Sequence, residues 1–244
     1  MLALVDVFLS TVTTPKMLTN FCFKAGDISF SGCVSQMFFL HFIFVAESAI
    51  LLAMAFDHYV VICYPLRYTA ILTTSVIGKM GIASVIRSFF ICFPLVFLVC
   101  QLTYCRRNII RYSYCEHMGA ARLACDSIKV NIYYVSLVAS SLSLDVVLII
   151  ISYVLILCSV FRIPSQGAHL KVLGTCGSHV FVSSFYAPAF FSFFADQFGG
   201  HSIPLHIHIL LANLYVVVTP TLNSIIYGVK SKQIQRKYTH IFSI

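Results

Sequence analysis

Long apolar runs separated by short polar segments dominate the chain. Crossing a bilayer as a helix takes about 20 residues, and the runs of sufficient length cover residues 1–23, 29–62, 77–102, 131–161, 172–195 and 203–229. Their backbone amides must be paired inside hydrocarbon, and the runs are too continuous for barrel strands. The pattern predicts an all-α membrane protein with a single transmembrane domain over 1–244. Residues 103–130 form a long extracellular loop in this prediction, and 230–244 form a cytoplasmic tail.

Composition and charge placement support this interpretation. The chain is 59% hydrophobic and 10% charged, whereas about a quarter of the residues in soluble domains are charged. The net charge of +8 comes from Lys and Arg residues between apolar runs, without a basic stripe interleaved with aromatic residues, so nucleic-acid binding is not expected. Basic residues slightly favour the side of the C-terminal tail, which places that side in the cytoplasm. Cys105, Cys115 and Cys125 then lie on the oxidising side, where disulfides form.

Ionisable residues inside the apolar runs are costly in a membrane and therefore need a role. Asp6 and Glu47 are either neutralised acids bonded to a neighbouring helix or parts of a site for a cation or proton. His41, in the outer half of the second run, is either a packed hydrogen-bonded residue or a ligand contact. Asp145, in the fourth run, is expected to pair with a polar neighbour. The chain contains no motif of a zinc site or of catalysis, so neither a metal centre nor an enzyme is expected.

Several stretches resemble olfactory receptors, which are rhodopsin-like G-protein-coupled receptors with seven helices. The matching stretches follow the family's order along nearly the whole chain. They are TPKML at 14–18, MAFDHYVVIC at 54–63, PLRY at 65–68, SY at 152–153, TCGSH at 175–179 and PTLNSIIY at 220–227. The resemblance implies a rhodopsin-like bundle that begins inside the family's second helix. The six runs then correspond to family helices two to seven, and the first helix is missing.

Three further stretches are similar to the class I, or fish-like, branch of the family. They are AMAF at 53–56, CEHM at 115–118 and HIHILLANLY at 206–215. Members of that branch often recognise polar, acidic odorants. The resemblance therefore implies a small-molecule odorant as ligand, and an olfactory-type G protein that raises cyclic AMP as signalling partner.

The resemblance also implies two disulfides and a ligand cavity. One bridge joins Cys33 to Cys115 and a second joins Cys105 to Cys125, so that the loop covers the bundle as a lid. Odorant is expected in an outer cavity between helices. Its candidate contacts are Gln36, Phe38, His41, His117, Phe193, Phe194 and Gln197. Gln197 stands near a position where class I receptors frequently carry a basic residue, and Gln cannot form a charge-assisted pair with an acid.

Signalling residues can be carried over in the same way. Asp6 and Glu47 match acidic positions that flank a buried Na⁺, and no other cofactor is expected. Tyr186, Asn223 and Tyr227 match positions that move on activation. Asp57, His58 and Tyr59 match the segment that couples to the G protein.

Two departures from the family pattern bear on signalling. The family has Arg where His58 stands, and His lacks the permanent charge and forked donors of Arg. The family has Pro where Ser224 stands, and Ser restores a backbone donor at an expected kink. Weaker coupling to the G protein or weaker locking of the inactive state is expected from the first departure, and a straighter seventh helix from the second.

Two alternatives to a signalling receptor at the plasma membrane stay open. The first is a non-signalling receptor fragment retained in the endoplasmic reticulum, because loss of a helix leaves small and polar groups facing lipid. The second is a transporter or channel with six helices. It would need a polar pathway or an internal repeat, and the sequence shows neither.

Overall fold

The structure, a computed structural model, describes residues 2–22, 28–104 and 115–162 and the single positions 174, 176, 177, 210, 218, 221 and 222. Within these residues the regular elements are helical, and one isolated β-bridge joins Tyr104 to Ala124. The helices are α1 (Leu2–Cys22), α2 (Phe30–Cys63), α3 (Tyr68–Ile71), α4 (Thr74–Cys100), α5 (His117–Ala121) and α6 (Lys129–Val160), with a 3₁₀ turn at Pro65–Arg67. The predicted all-α class is confirmed.

Four of the six predicted spans correspond to α1, α2, α4 and α6. The predicted spans over 172–195 and 203–229, and the tail over 230–244, lie almost wholly outside the described residues. Local chemistry fixes the helix ends that are seen. The Ser29 hydroxyl accepts a hydrogen bond from the Gly32 amide at 3.2 Å and caps α2. Thr73 caps α4 in the same way, so α4 begins at Thr74 and not at 77 as predicted.

Helices α2, α4 and α6 are long and apolar enough to cross a membrane, with mean hydropathies of 2.1, 2.3 and 2.5. Helix α1 adds a shorter apolar segment, Ala3–Pro15. Large apolar side chains cover the outside of the bundle, and Phe90 and Leu144 are 68% and 58% exposed. A soluble protein would bury these surfaces, so lipid is their natural solvent.

Helix α2 is central and contacts α1, α4 and α6. Three buried clusters follow one another along it, and the end that carries the loop helix α5 is called the outer end. The outer cluster includes Cys33, Met37, Val99 and Cys115; the middle cluster includes Val45, Leu95, Met118, Val135 and Leu142; the inner cluster includes Ala55, Tyr153, Ile156 and Val160. The core thus runs along α2, with α4 and α6 packed on either side.

Candidate functional site

The loop after α4 is fastened over the outer end of α2. A disulfide joins Cys33, in the first turn of α2, to Cys115, with 5.3 Å between their Cα atoms. The Cys115 amide also donates a hydrogen bond to the Gln36 side-chain oxygen at 3.2 Å. Covalent and polar links therefore hold the short helix α5 as a lid against the bundle.

The far side of the lid is fastened to the end of α4. The Cys125 amide donates to the Thr103 carbonyl at 2.9 Å, and the Thr103 amide donates to the Asp126 carboxylate at 2.7 Å. This amide donor lowers the pKa of Asp126. Cys125 is disulfide-bonded, but its predicted partner, Cys105, lies outside the described residues, so that pairing stays a prediction.

Two buried polar side chains meet beneath the lid. His117, in the first turn of α5, and Asn131, near the start of α6, are each 2% exposed. The Asn131 side chain and the Leu95 carbonyl border the His117 ring. Both ring nitrogens of His117 and the Oδ1 atom of Asn131 lack a hydrogen-bond partner within the described part of the chain. We call these two side chains the buried polar pair.

His41 lies close enough for its ring to act electrostatically on His117. Its Nδ1 atom lies 2.8 Å from the Met37 carbonyl one turn earlier on α2. The candidate contacts His41 and His117, which are far apart in sequence, are therefore neighbours in the fold. Asn131 joins them although sequence analysis did not single it out. Its polar side chain at the start of an apolar run was the available signal.

Acidification is expected to destabilise the lid through His117. Burial lowers the pKa of this imidazole from 6.5 to about 3. Between these two pH values, His117 is protonated in the unfolded chain and neutral in the folded chain. The stabilising effect of the neutral ring is complete above pH 6.5 and is lost as the pH falls from 6.5 towards 3. Thermal unfolding midpoints measured in detergent should fall across that interval. His117→Gln should flatten the slope; equal slopes in the variant and the original chain would contradict the expectation.

The other candidate ligand contacts differ in their surroundings. Gln36 is buried, and its side-chain oxygen is engaged by the lid. Phe38 is partly buried and packs against Phe39, Phe42 and Phe89. The remaining candidates, Phe193, Phe194 and Gln197, lie outside the described residues.

An ion pair deep in the bundle connects three helices. Arg87 on α4 lies 2.8 Å from the Asp145 carboxylate on α6, and Ser48 on α2 donates to the same carboxylate at 2.8 Å. Arg87 also donates to the Ser141 carbonyl at 3.4 Å. The sequence predicted a polar partner for Asp145 without naming it. An Arg in the middle of an apolar run was the signal that identifies Arg87.

The two acids carried over as flanking a cation lie in buried positions on neighbouring helices. Asp6 on α1 is 3% exposed and Glu47 on α2 is fully buried. Asp6 borders a cavity of about 450 Å³ that is also lined by Ser10, Thr11, Thr14 and Thr221. Within the described residues, no group of three or more His, Cys, Asp and Glu side chains is placed to hold a metal ion.

The inner end of α2 carries a second set of polar contacts. The Asp57 carboxylate accepts a hydrogen bond from the Tyr68 hydroxyl at 3.2 Å, and its other oxygen lies 3.8 Å from Nδ1 of His58. The negative charge of Asp57 raises the pKa of Tyr68. Tyr59 packs edge-on against Tyr64. The activation candidates Tyr186, Asn223 and Tyr227 lie outside the described residues.

Comparison with known proteins covers the whole chain. A family model described as "Olfactory receptor" matches residues 1–244. Olfactory receptor 52Z1P of Homo sapiens is 63% identical, with 100% of this chain and 81% of that protein covered. Olfactory receptors 52B2 and 52B6 of Homo sapiens are 55% and 54% identical, with 99% and 100% of this chain and 75% and 73% of those proteins covered. The similarity is therefore not confined to isolated motifs.

Proposed function

Because this chain belongs to the olfactory receptor family of rhodopsin-like G-protein-coupled receptors, we propose that it binds a small odorant beneath the lid. Binding is passed to a heterotrimeric G protein that raises cyclic AMP. The family is not an enzyme family, so its function lies in binding and a change of conformation. The observation that carries the proposal is the buried polar pair, whose hydrogen-bonding atoms lie under a disulfide-fastened loop.

The proposed ligand site combines a polar anchor with apolar walls. Burial without a hydrogen bond costs a polar group free energy, and a ligand that supplies the missing partner recovers it. His117 and His41 provide the anchor in this proposal, Phe38 forms part of the wall, and Gln36 holds the lid. Phe193, Phe194 and Gln197 are proposed to close the opposite side.

Activation is proposed to depend on the buried acids and on the later helices. Asp6 and Glu47 supply the oxygen ligands that hard cations prefer, and their burial on contacting helices supports a Na⁺ between them. Such an ion would compensate two carboxylates that the membrane otherwise disfavours. Tyr186, Asn223 and Tyr227 are proposed to move when odorant binds.

The inner end of α2 is the proposed contact with the G protein. Asp57 is engaged by Tyr68 and His58, and Tyr59 lies beside them on α2. Contact with the G protein requires the inner end to face the cytoplasm. The chain is a membrane protein, and we propose the plasma membrane as its site of action.

Replacing His58 with Arg is expected to increase the odorant-dependent cyclic AMP response about tenfold, the effect of one charge-assisted hydrogen bond. Arg brings a permanent charge and forked donors to the inner end, and His has neither. His58→Lys restores charge without the fork and should give a smaller increase. The measurement is cyclic AMP per receptor at the cell surface. An Arg variant no more active than the original chain would contradict this assignment.

The proposed function itself is tested by expressing the chain with an olfactory-type G protein and applying a broad odorant panel. Cyclic AMP should rise with odorant and only in cells that carry the chain. Surface staining of the same cells separates the alternatives. A chain that reaches the surface yet answers no odorant contradicts the proposal, and a chain confined to the endoplasmic reticulum supports the non-signalling fragment.

A further inference from the structure

We infer that His117 and Asn131 select an odorant that carries a hydroxyl group over one that carries a carboxylate or a ketone. This inference deepens the proposed function and rests on it. It gives Asn131 a direct contact with the ligand and names the chemical class of that ligand as a neutral aliphatic alcohol.

The geometry of the buried polar pair is fixed from two directions. His117 belongs to α5, which the Cys33–Cys115 disulfide holds against α2. Asn131 belongs to the first turn of α6 and is as buried as His117. The two side chains are neighbours, and both ring nitrogens of His117 and the Oδ1 atom of Asn131 lack a hydrogen-bond partner in the described part of the chain. A small group that reaches both side chains can therefore supply partners to atoms that have none.

The hydrogen-bonding pattern of the pair is set by the charge of His117. Burial keeps the imidazole neutral at pH 7, since its pKa lies at about 3. A neutral imidazole offers one N–H donor and one nitrogen acceptor, and the Oδ1 atom of Asn131 is a second acceptor. The three unpaired atoms thus present one donor and two acceptors, and the pair carries no net charge.

In the described part of the chain, the basic residues nearest to the buried polar pair are exposed or already paired. Arg122 and Lys129 are exposed at the surface, and Arg87 is paired with Asp145. Among the described residues no cation lies beside the pair, so a carboxylate bound there would have its charge in an apolar environment, and its oxygens would face the Oδ1 atom of Asn131. Both features oppose binding of an acid.

A hydroxyl group matches the pair. Its hydrogen can be donated to Asn131, and its oxygen can accept the His117 N–H, so two of the three missing bonds are made. A ketone oxygen accepts from His117 but leaves the Asn131 oxygen unpaired. Sites built around a substrate hydroxyl reject analogues that lack it, because the buried polar groups are then left without partners.

The surroundings of the pair suit an aliphatic body. Leu95, whose carbonyl borders the His117 ring, belongs to a cluster of buried apolar side chains. Met118, next to His117, and Val135, one turn after Asn131, are members of the same cluster. Phe38 and Phe42 pack against it. The alkyl part of an alcohol would replace or extend these apolar contacts.

The test measures ligand-dependent thermal stabilisation of the full chain in lipid nanodiscs, a readout that does not require G-protein coupling. The probes are 1-octanol, 2-octanone and octanoate, which share chain length and differ in the polar group. Octanol should reach half-maximal stabilisation at a concentration about ten- to a hundredfold lower than either analogue, as expected for one unpaired buried group. This comparison needs no variant and is independent of any effect of mutation on folding.

A variant then assigns the effect to Asn131. Asn131→Leu should raise the octanol concentration required by at least about tenfold and leave that of octanone within about threefold. Ser136→Ala is the control, because Ser136 lies on α6 and its hydroxyl donates to the Ile132 carbonyl of the same helix; it should preserve the order of the three probes. Octanoate as potent as octanol, or octanol unaffected by Asn131→Leu, overturns the inference. If other odorants stabilise the chain and octanol does not, only the inferred class is wrong, whereas stabilisation by none of a broad panel removes the proposed function as well.

Discussion

Asp145→Ala is expected to lower the free energy of unfolding by about 3–5 kcal/mol, the largest effect of any single substitution proposed for this chain. Asp145 is 4% exposed and receives contacts from Arg87 and Ser48 on two other helices. Its removal leaves the guanidinium of Arg87 without a counter-ion inside the membrane. The variant should therefore show a lower unfolding midpoint in detergent and fewer molecules at the cell surface.

A double variant distinguishes the loss of a partner from the loss of the pair. Arg87→Leu combined with Asp145→Leu removes both charges, so its stability should be much closer to that of the original chain than either single variant. Ser143→Ala serves as a control on α6, where the hydroxyl donates to the Ala139 carbonyl of the same helix. Additive losses in the double variant would show that the ion pair is not the source of the effect.

Cys33→Ser is expected to cost about 2–4 kcal/mol and to release the lid. The bridge to Cys115 closes a loop with a sequence separation of 82 residues and sets the position of the hydrogen bond to Gln36. Without it, α5 is held to α2 by non-covalent contacts, and His117 becomes accessible to water. Unfolding midpoints should fall, and the pH dependence assigned to His117 should weaken.

The chain offers a matched control for this substitution. Cys100 is exposed and has a free thiol at the outer end of α4. Cys100→Ser should therefore change the free energy of unfolding by less than about 0.5 kcal/mol. Mild reduction of the original chain should reproduce the effect of Cys33→Ser. If reduction and substitution both leave the midpoint unchanged, the lid is stabilised by its other contacts.

The hydrophobic pattern predicted the four described long helices because an apolar segment in a membrane must pair its backbone amides internally, and a helix does so. It placed α6 within two residues of its observed limits, 129–160 against 131–161. It was less accurate at the start of α4, where the hydroxyl of Thr73 caps the helix ahead of the apolar run. Helix ends depend on single hydrogen bonds, and a hydropathy pattern does not register them. The short helix α5 was missed because its burial comes from the lid disulfide and not from length or periodicity.

The site was predicted in part for a similar reason. Resemblance supplied His41 and His117 as candidates, and the fold brings them together. Asn131 and Arg87 could be identified only once the packing of α4 and α6 against α2 was known. This packing determines which faces of the two helices point into the bundle. A sequence states that Arg87 and Asp145 are both in apolar runs, but 58 residues separate them. Only the crossing of the helices shows that they meet.

The link between α4 and α6 has a consequence for how the chain is made. The ribosome adds Arg87 to the chain well before Asp145. The nascent α4 segment therefore reaches the translocon while Arg87 still lacks its counter-ion. Insertion scales assign such a residue about 2.5–3.5 kcal/mol against entry, and each Leu, Ile, Phe or Val contributes about 0.3–0.6 in favour. The many Phe, Ile and Val residues of Thr74–Cys100 offset Arg87 near its middle and Lys79 near its start, so the segment is expected to enter the bilayer alone. Helix α4 can reach its final position only after α6 has been made. Membrane assembly of the chain is therefore expected to be sensitive to a delay between the synthesis of α4 and that of α6.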